Sequence, residues 1–295
     1  MRCRHTGRMK LGLHIADFSW PGGPTELAAD LRRIATTAED AGFARISVMD
    51  HLWQIPVIGA PEQEMLEAYT VLGYLAACTS RAQLLAWVTA VVYREPGVLA
   101  KAVTTLDVLS QGRAVLGIGA AWFSDEAEGL GLDFPPTAER FERLEEALQI
   151  CLQMWSDSDE AYQGKHYRLG RTLNAPQSLQ RPHPPILIGG GGERKTLRLV
   201  AQYAQMCNLF PTAELAHKLD VLREHCTAVG RDYADIEKTI MYPLPESPDW
   251  PAIVADLGRY AELGIAHAHI RIPAGGDLAA IEAIGTNLVQ RAAEL

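Results

Sequence analysis

A chain of 295 residues with 48% hydrophobic and 21% charged side chains can build a sizeable core, which excludes intrinsic disorder and collagen-like structure. Its 27 Lys and Arg against 36 Asp and Glu leave a formal charge of −9 with no sustained basic run. Neither a nucleic-acid backbone nor an anionic membrane is therefore the expected partner, and small molecules are. The longest apolar stretch, from Leu84 to Tyr93, is about half of the ~20 residues a membrane-spanning helix needs, and the five scattered cysteines include no CxxC pair, so a reducing cytoplasm is expected.

Residues 1–8 carry Arg2, Arg4 and Arg8 and read as a disordered extension; residues 9–295 read as one domain. Strand-like runs at 10–16, 44–50, 83–89 and 113–118 are each bounded by Gly, Pro or polar residues, and four more follow at 185–189, 205–209, 236–243 and 266–272. Helical patterns alternate with them. Leu27, Leu31, Ile34 and Ala38 share a face that stops at Gly42, and Pro96 opens a helix that closes at Gly112. A longer helix over 137–155 puts Phe141, Leu144, Leu148, Cys151 and Trp155 on one core face, with Glu139 and Arg143 spaced to pair outside; Gly230 and Gly264 end two later helices. Eight βα alternations in this length predict an α/β fold, a closed (β/α)8 TIM barrel, with a doubly wound open sheet as the alternative. Two long segments, 52–64 after strand 2 and 156–184 before strand 5, are expected to build the active site, the second with a small hairpin lid over 162–167.

Strand 8 reads Ala266-His267-Ala268-His269-Ile270-Arg271-Ile272, and the period of two points His267, His269 and Arg271 into the barrel, as it does His14 in strand 1. Such residues are either hydrogen-bonded core polar groups or a His-X-His metal site; the strand ends offer few carboxylates to complete the latter, and no metal ligand is assigned. Strand 2 ends in Met49-Asp50-His51-Leu52-Trp53. Parity puts His51 in the pocket, where it can exchange a proton near neutral pH, and leaves Asp50 as its support or as a loop anchor. Gly117 and Gly119 in strand 4 would let a flat ligand approach the backbone. After strand 5, Gly189-Gly190-Gly191-Gly192-Glu193-Arg194-Lys195 leads into a helix, an arrangement suited to holding phosphate; the Walker A and dinucleotide patterns are both absent.

Taken together, Gly12-Leu13-His14-Ile15, Met49-Asp50-His51, Tyr93-Arg94-Glu95-Pro96, the run Leu106 to Arg113, Gly117-Ile118-Gly119-Ala120-Ala121-Trp122-Phe123, the run Glu139 to Leu148 and Pro184 to Gly192 resemble the bacterial luciferase-like barrel superfamily, and within it the coenzyme F420-dependent oxidoreductases. The resemblance covers the chain from Met9 almost to its end. It implies a reduced flavin or deazaflavin at the strand C-termini, its phosphate near the strand-5 glycines, His51 beside the ring, and a non-prolyl cis peptide behind the ring at Trp87-Val88. Candidate cofactor contacts are thus His14, Trp87, Val88, Gly119, Ala120, Trp122, Gly189, Gly190, Gly191, Gly192, Glu193 and Arg194; candidate catalytic residues are His51 and Asp50. A homodimer is implied by the family.

The leading expectation is hydride transfer between a deazaflavin and a small organic substrate, with His51 managing the proton. FMN with oxygen, as a monooxygenase, is the alternative. A Schiff-base aldolase would need a lysine at a strand's C-terminal end, whereas Lys10 and Lys238 lie near strand starts and Lys101 on a helix. A metal hydrolase on His14, His267 and His269 and a non-catalytic flavin-binding protein are the remaining alternatives. Phe18, Trp20, Trp53, Trp122 and Phe123 fall in loops expected around the pocket, which suggests an apolar or aromatic substrate.

Overall fold

The computed structural model of the chain describes residues 9–295; the expected extension at 1–8 lies outside the described residues. In chain order the elements are β1 (Lys10–Ile15), α1 (Leu27–Asp40), β2 (Arg45–Val48), α2 (Ala68–Cys78), β3 (Gln83–Ala86), β4 (Thr89–Ala90), α3 (Pro96–Leu109), β5 (Leu116–Gly119), α4 (Asp125–Gly129) and α5 (Thr137–Met154). There follow β6 (Tyr162–Gln163), β7 (Arg168–Leu169), β8 (Ile186–Gly189), α6 (Thr196–Tyr203), β9 (Met206–Leu209), α7 (Leu215–Ala228), β10 (Glu237–Tyr242), α8 (Trp250–Glu262), β11 (Ile265–Arg271) and α9 (Leu278–Ile284).

The parallel ladder runs β3-β2-β1-β11-β10-β9-β8-β5-β4, and a bridge between Leu84 of β3 and Ala114, just before β5, closes the ring. β3 and β4 are one stave of an eight-stave barrel, broken at a bulge. From Leu84 to Thr89 the chain takes five steps while its partner takes four, from Ala114 to Ile118. The Trp87-Val88 peptide within this bulge is cis, as the family resemblance implied. Each predicted strand is present, with ends that differ from the expected bounds by one to three residues.

Alternation along the strands explains the core. Leu11, Leu13, Ile15, Ile46 and Val48 are fully buried outside the barrel beneath α1, whose Leu27, Leu31, Ile34 and Ala38 meet them as the spacing predicts. Each such aliphatic side chain contributes ~1.5–3 kcal/mol on burial. On α5, Leu144, Leu148, Cys151 and Trp155 are buried as expected and Arg143 bonds Glu139 at 2.7 and 2.9 Å. Phe141 is only half-buried and looks toward the barrel mouth. After α1, α3, α7 and α8 the chain reverses through Gly42, Gly112, Gly230 and Gly264, each at positive φ.

Polar residues in two of the sequence motifs hold the barrel together. Arg113 donates to the carbonyls of Ala76, Thr79, Ala82 and Ser110, tying the ends of α2 and α3 to the strands between them. Asp107 accepts from Leu179 N, Gln180 N and Gln180 Nε2, and so anchors segment 156–184 under the barrel.

That segment contains the expected hairpin, β6 and β7, but the hairpin is not a lid. Glu146 on α5 accepts from the backbone of Lys165, His166 and Tyr167, and Leu169 packs beside Gly97 of α3, so the hairpin fills the outer groove between α3 and α5. The reason is topological. A segment that follows a helix and precedes a strand returns to the strand's N-terminal end, opposite the catalytic face.

Inside the barrel lies a column of polar side chains. Arg45 Nη1 bonds Glu237 Oε1 at 2.5 Å, and His267 and His269 above them are fully buried and stacked with ring centres 4.7 Å apart. His14 Nδ1 lies 2.9 Å from Ser47 Oγ, and the indole of Trp87 covers His269 at 3.7 Å. Gly12 makes room: a Cβ there would stand 2.8 Å from His269 and 3.1 Å from His267. Burial, helped by Arg271 and His51, pushes the His14 pKa down to about 3. Burial and Arg45 push His267 and His269 well below the usual histidine range, so all three are neutral.

Candidate active site

The C-terminal ends of the staves open into a cavity of about 590 Å³. Its floor is the bulge, Trp87 and Val88. Val88 is seated against two glycine backbones: a Cβ on Gly119 or on Gly189 would come within 3.0 Å of its Cγ2. Close passage of the backbone at these two strand ends therefore requires glycine. From Gly189 the wall continues through Gly190, Gly191 and Gly192 to Thr196 at the start of α6. Gly190 has φ +117°, its N–H donates to Asn208 O, and a Cβ on Gly192 would meet Thr196 Oγ1 at 2.9 Å. This loop leaves backbone, not side chains, facing the cavity. The neighbouring loop after β5 is fixed by Arg140, which donates to Ala120 O at 2.9 Å and Pro135 O at 2.7 Å.

His51 lines the same cavity, flanked by Trp122 and Phe123 with ring centres at 5.7 and 6.0 Å, both edge-on. Its partner is not Asp50. His51 Nδ1 and the Tyr93 hydroxyl both bond Glu126 Oε1, while Glu126 Oε2 accepts from Leu52 N at 2.5 Å and Trp53 N at 3.0 Å. Glu126 is completely buried. Burial alone would raise its pKa, but the donors from His51, Tyr93 and Trp53 outweigh it and hold the carboxyl below the usual range. Burial and the adjacent Glu126 push the Tyr93 phenol up, so Tyr93 remains a neutral donor.

Asp50 behaves as a loop anchor. Its carboxylate takes both Nη atoms of Arg94 at 2.9 Å and Ala90 N at 3.0 Å, which ties the stretch just after the bulge to the end of β2. Arg94 also bonds Glu67 and lies 4.8 Å over the Tyr69 ring. Burial opposes the charge on Arg94, and the Asp50 carboxylate more than reverses this, raising its pKa.

Of the expected cofactor contacts, Trp87, Val88, Gly119, Ala120, Trp122 and Gly189 to Gly192 line the cavity. His14 does not, since it sits under Trp87 in the barrel. Glu193 and Arg194 also lie off the wall; Glu193 is held by Lys218 at 2.6 Å and His217 at 3.3 Å. Segment 52–64 contributes no wall either: it brings Leu52 and Trp53 to Glu126 and Gln54 to Ala16 O. Phe18 and Trp20 are buried in the core, and Trp53 packs on Gly129.

Sequence reasoning did not anticipate Glu126, Tyr93, Phe141, Thr196, Asn208, Phe210 or Met241 at this site. For Asn208 the signal was available, because it shares the inward parity of Met206 near the end of β9. Glu126 gave none: it is one of several acids in Asp125-Glu126-Ala127-Glu128. Among the described residues no group of three or more His, Cys, Asp or Glu is placed to hold a metal ion, and no helix is long and apolar enough to cross a membrane.

Residues 9–249 match the family model described as luciferase-like monooxygenase. An F420-dependent glucose-6-phosphate dehydrogenase of Kineococcus radiotolerans is 32% identical over 228 residues, which cover 74% of this chain and 64% of that protein. The F420-dependent tetrahydromethanopterin reductase of Methanopyrus kandleri superposes with a TM-score of 0.79 at 17% identity, over 96% of this chain and 99% of the other. The monooxygenase RslO1 of Streptomyces bottropensis does so at 0.75 and 20% identity, over 96% and 99%.

Proposed function

Because the chain belongs to the luciferase-like monooxygenase family and is an oxidoreductase on its barrel, we propose that it works with coenzyme F420 and transfers a hydride to or from an uncharged, largely apolar alcohol or carbonyl compound. The observation that carries this reading is a single cavity shared by the edge of His51 and a wall of bare glycine backbone. The residues fit the cofactor: Trp87 and Val88 floor the cavity beside Gly119 and Gly189, and Gly191 and Gly192 with Thr196 offer a phosphate N–H and hydroxyl groups at the start of α6. A bound deazaflavin supplies a ring carbon that gives or takes the hydride.

The chain's own part is binding, exclusion of water and proton handling. His51 takes the substrate's hydroxyl proton at Nε2, or returns it to a carbonyl oxygen. Trp122, Phe123, Phe141, Phe210 and Met241 make the remaining wall apolar, and no Lys or Arg is among the lining residues. Asp50, the one buried carboxylate there, is spent on Arg94. The apolar wall favours an uncharged substrate over a phosphorylated sugar. Assembly as a homodimer and a place in the cytoplasm go with this proposal.

Titrating the purified protein separately with F420 and FMN, followed by turnover with a panel of alcohols, ketones and glucose 6-phosphate, tests it. Tight binding of F420 with turnover of an uncharged substrate is expected. Tight binding of FMN alone, with oxygen consumption, would replace it by the monooxygenase reading.

A further inference from the structure

Resting on the hydride-transfer reading, we infer that Glu126 is the positioning residue that makes His51 a proton acceptor, by fixing its tautomer and holding its ring edge toward the cavity. The two oxygens of this fully buried carboxylate receive four donors, two on each. An ionised carboxylate only accepts, so the proton on the His51 ring must sit on Nδ1, and Nε2 carries the lone pair. The neighbouring order of the staves brings the three side chains together. His51 leaves the end of β2, Tyr93 follows β4, and Glu126 follows β5, which are adjacent around the ring. Leu52 N and Trp53 N, the two amides directly after His51, grip the other oxygen, so the same carboxylate sets both the loop's path and the ring's rotation.

The consequence is chemical as well as steric. When His51 takes a proton at Nε2, the positive ring is stabilised by an anion already desolvated and already oriented, so nothing needs to reorganise. Tyr93 completes the arrangement by donating to the oxygen that faces His51. The other charged or titratable groups near His51 include Asp50 and Glu67, which share the Arg94 guanidinium, and neutral His14 beneath Trp87; Trp122 and Phe123 beside it are apolar. Among the described residues, Glu126 is the carboxylate that bonds the His51 ring directly.

The test begins without cofactor. Nitrogen-15 NMR of the resting protein in mildly alkaline buffer is expected to show His51 as the Nδ1–H tautomer; an Nε2–H tautomer would overturn the inference whether or not F420 is the cofactor. Glu126→Gln keeps the size and an acceptor oxygen but removes the charge. It is expected to lower kcat about 10²-fold, leave the cofactor Kd within about twofold, and move the acid limb of the alcohol-oxidation profile to lower pH. Glu126→Asp should recover part of the rate. A Glu126→Gln protein that loses cofactor binding or thermal stability while its pH profile stays in place would show a purely structural role and sink the inference. Failure of the wild type to bind F420 would fail the cofactor reading alone, since the NMR result still decides the tautomer.

Discussion

Histidines occupy two regions of this barrel, one on each side of the Trp87 indole, and they differ in every respect that matters for chemistry. Below it His14, His267 and His269 are sealed from solvent, and burial, helped by nearby cations such as Arg45 and Arg271, keeps them uncharged. Above it His51 has one edge on a cavity and the other on a buried carboxylate. The same imidazole is thus a filler in one place and a proton carrier in the other. The difference lies in access and in the partner, not in the residue.

The sharpest way to break this comparison is to replace the upper histidine. His51→Asn should lower kcat by about 10³-fold, within the range for loss of a general acid or base, and leave the thermal midpoint within a degree or two; steady-state kinetics and a melting curve check both. A loss of less than tenfold would mean that His51 is as inert as the three below.

Acidification probes the lower set. Their folded pKa values lie below the unfolded value of about 6.5, so their contribution to stability is intact above that pH and is lost as the pH falls toward the folded values. Between about pH 7 and about pH 5.5 all three should lower stability, read as a fall in the urea midpoint. Steric crowding offers a smaller effect. Gly12→Ala puts a methyl 2.8 Å from His269, and should cost about 1–3 kcal/mol by urea unfolding, with hydride transfer kinetics little altered once folded. The smallest change is expected from His267→Leu, which should reduce the acid sensitivity of stability by roughly a third and leave kcat alone.

How much of this was readable beforehand depends on the range over which each feature is determined. Strand 8 alternates His267, His269 and Arg271, and that local period correctly turned the two histidines inward. Gly42, Gly112, Gly230 and Gly264 marked helix ends because a left-handed backbone is decided within one residue. The four glycines after strand 5 were visible for the same reason. Glu126 was not, since its burial is created by residues 52 and 53, over seventy positions earlier, docking onto it. Asp50 and His51 are adjacent in sequence, which made them look like partners, whereas their bonds go to Arg94 and Glu126 on different loops. The hairpin at β6 and β7 was recognised as a hairpin and misplaced as a lid, because turn residues encode local shape but not which end of the barrel the shape occupies.

The third stave pairs with β2 through β3 and with β5 through β4, and between them it supplies the cavity floor. Ring closure and floor are therefore one stretch of five or six residues, so any insertion or deletion there would unseat both together. Diversification of what such an enzyme accepts is consequently channelled away from the base and onto the rim, where exposed groups such as Trp122 and Phe210 can be exchanged without opening the ring. A library confined to those rim positions would explore new chemistry at little structural risk.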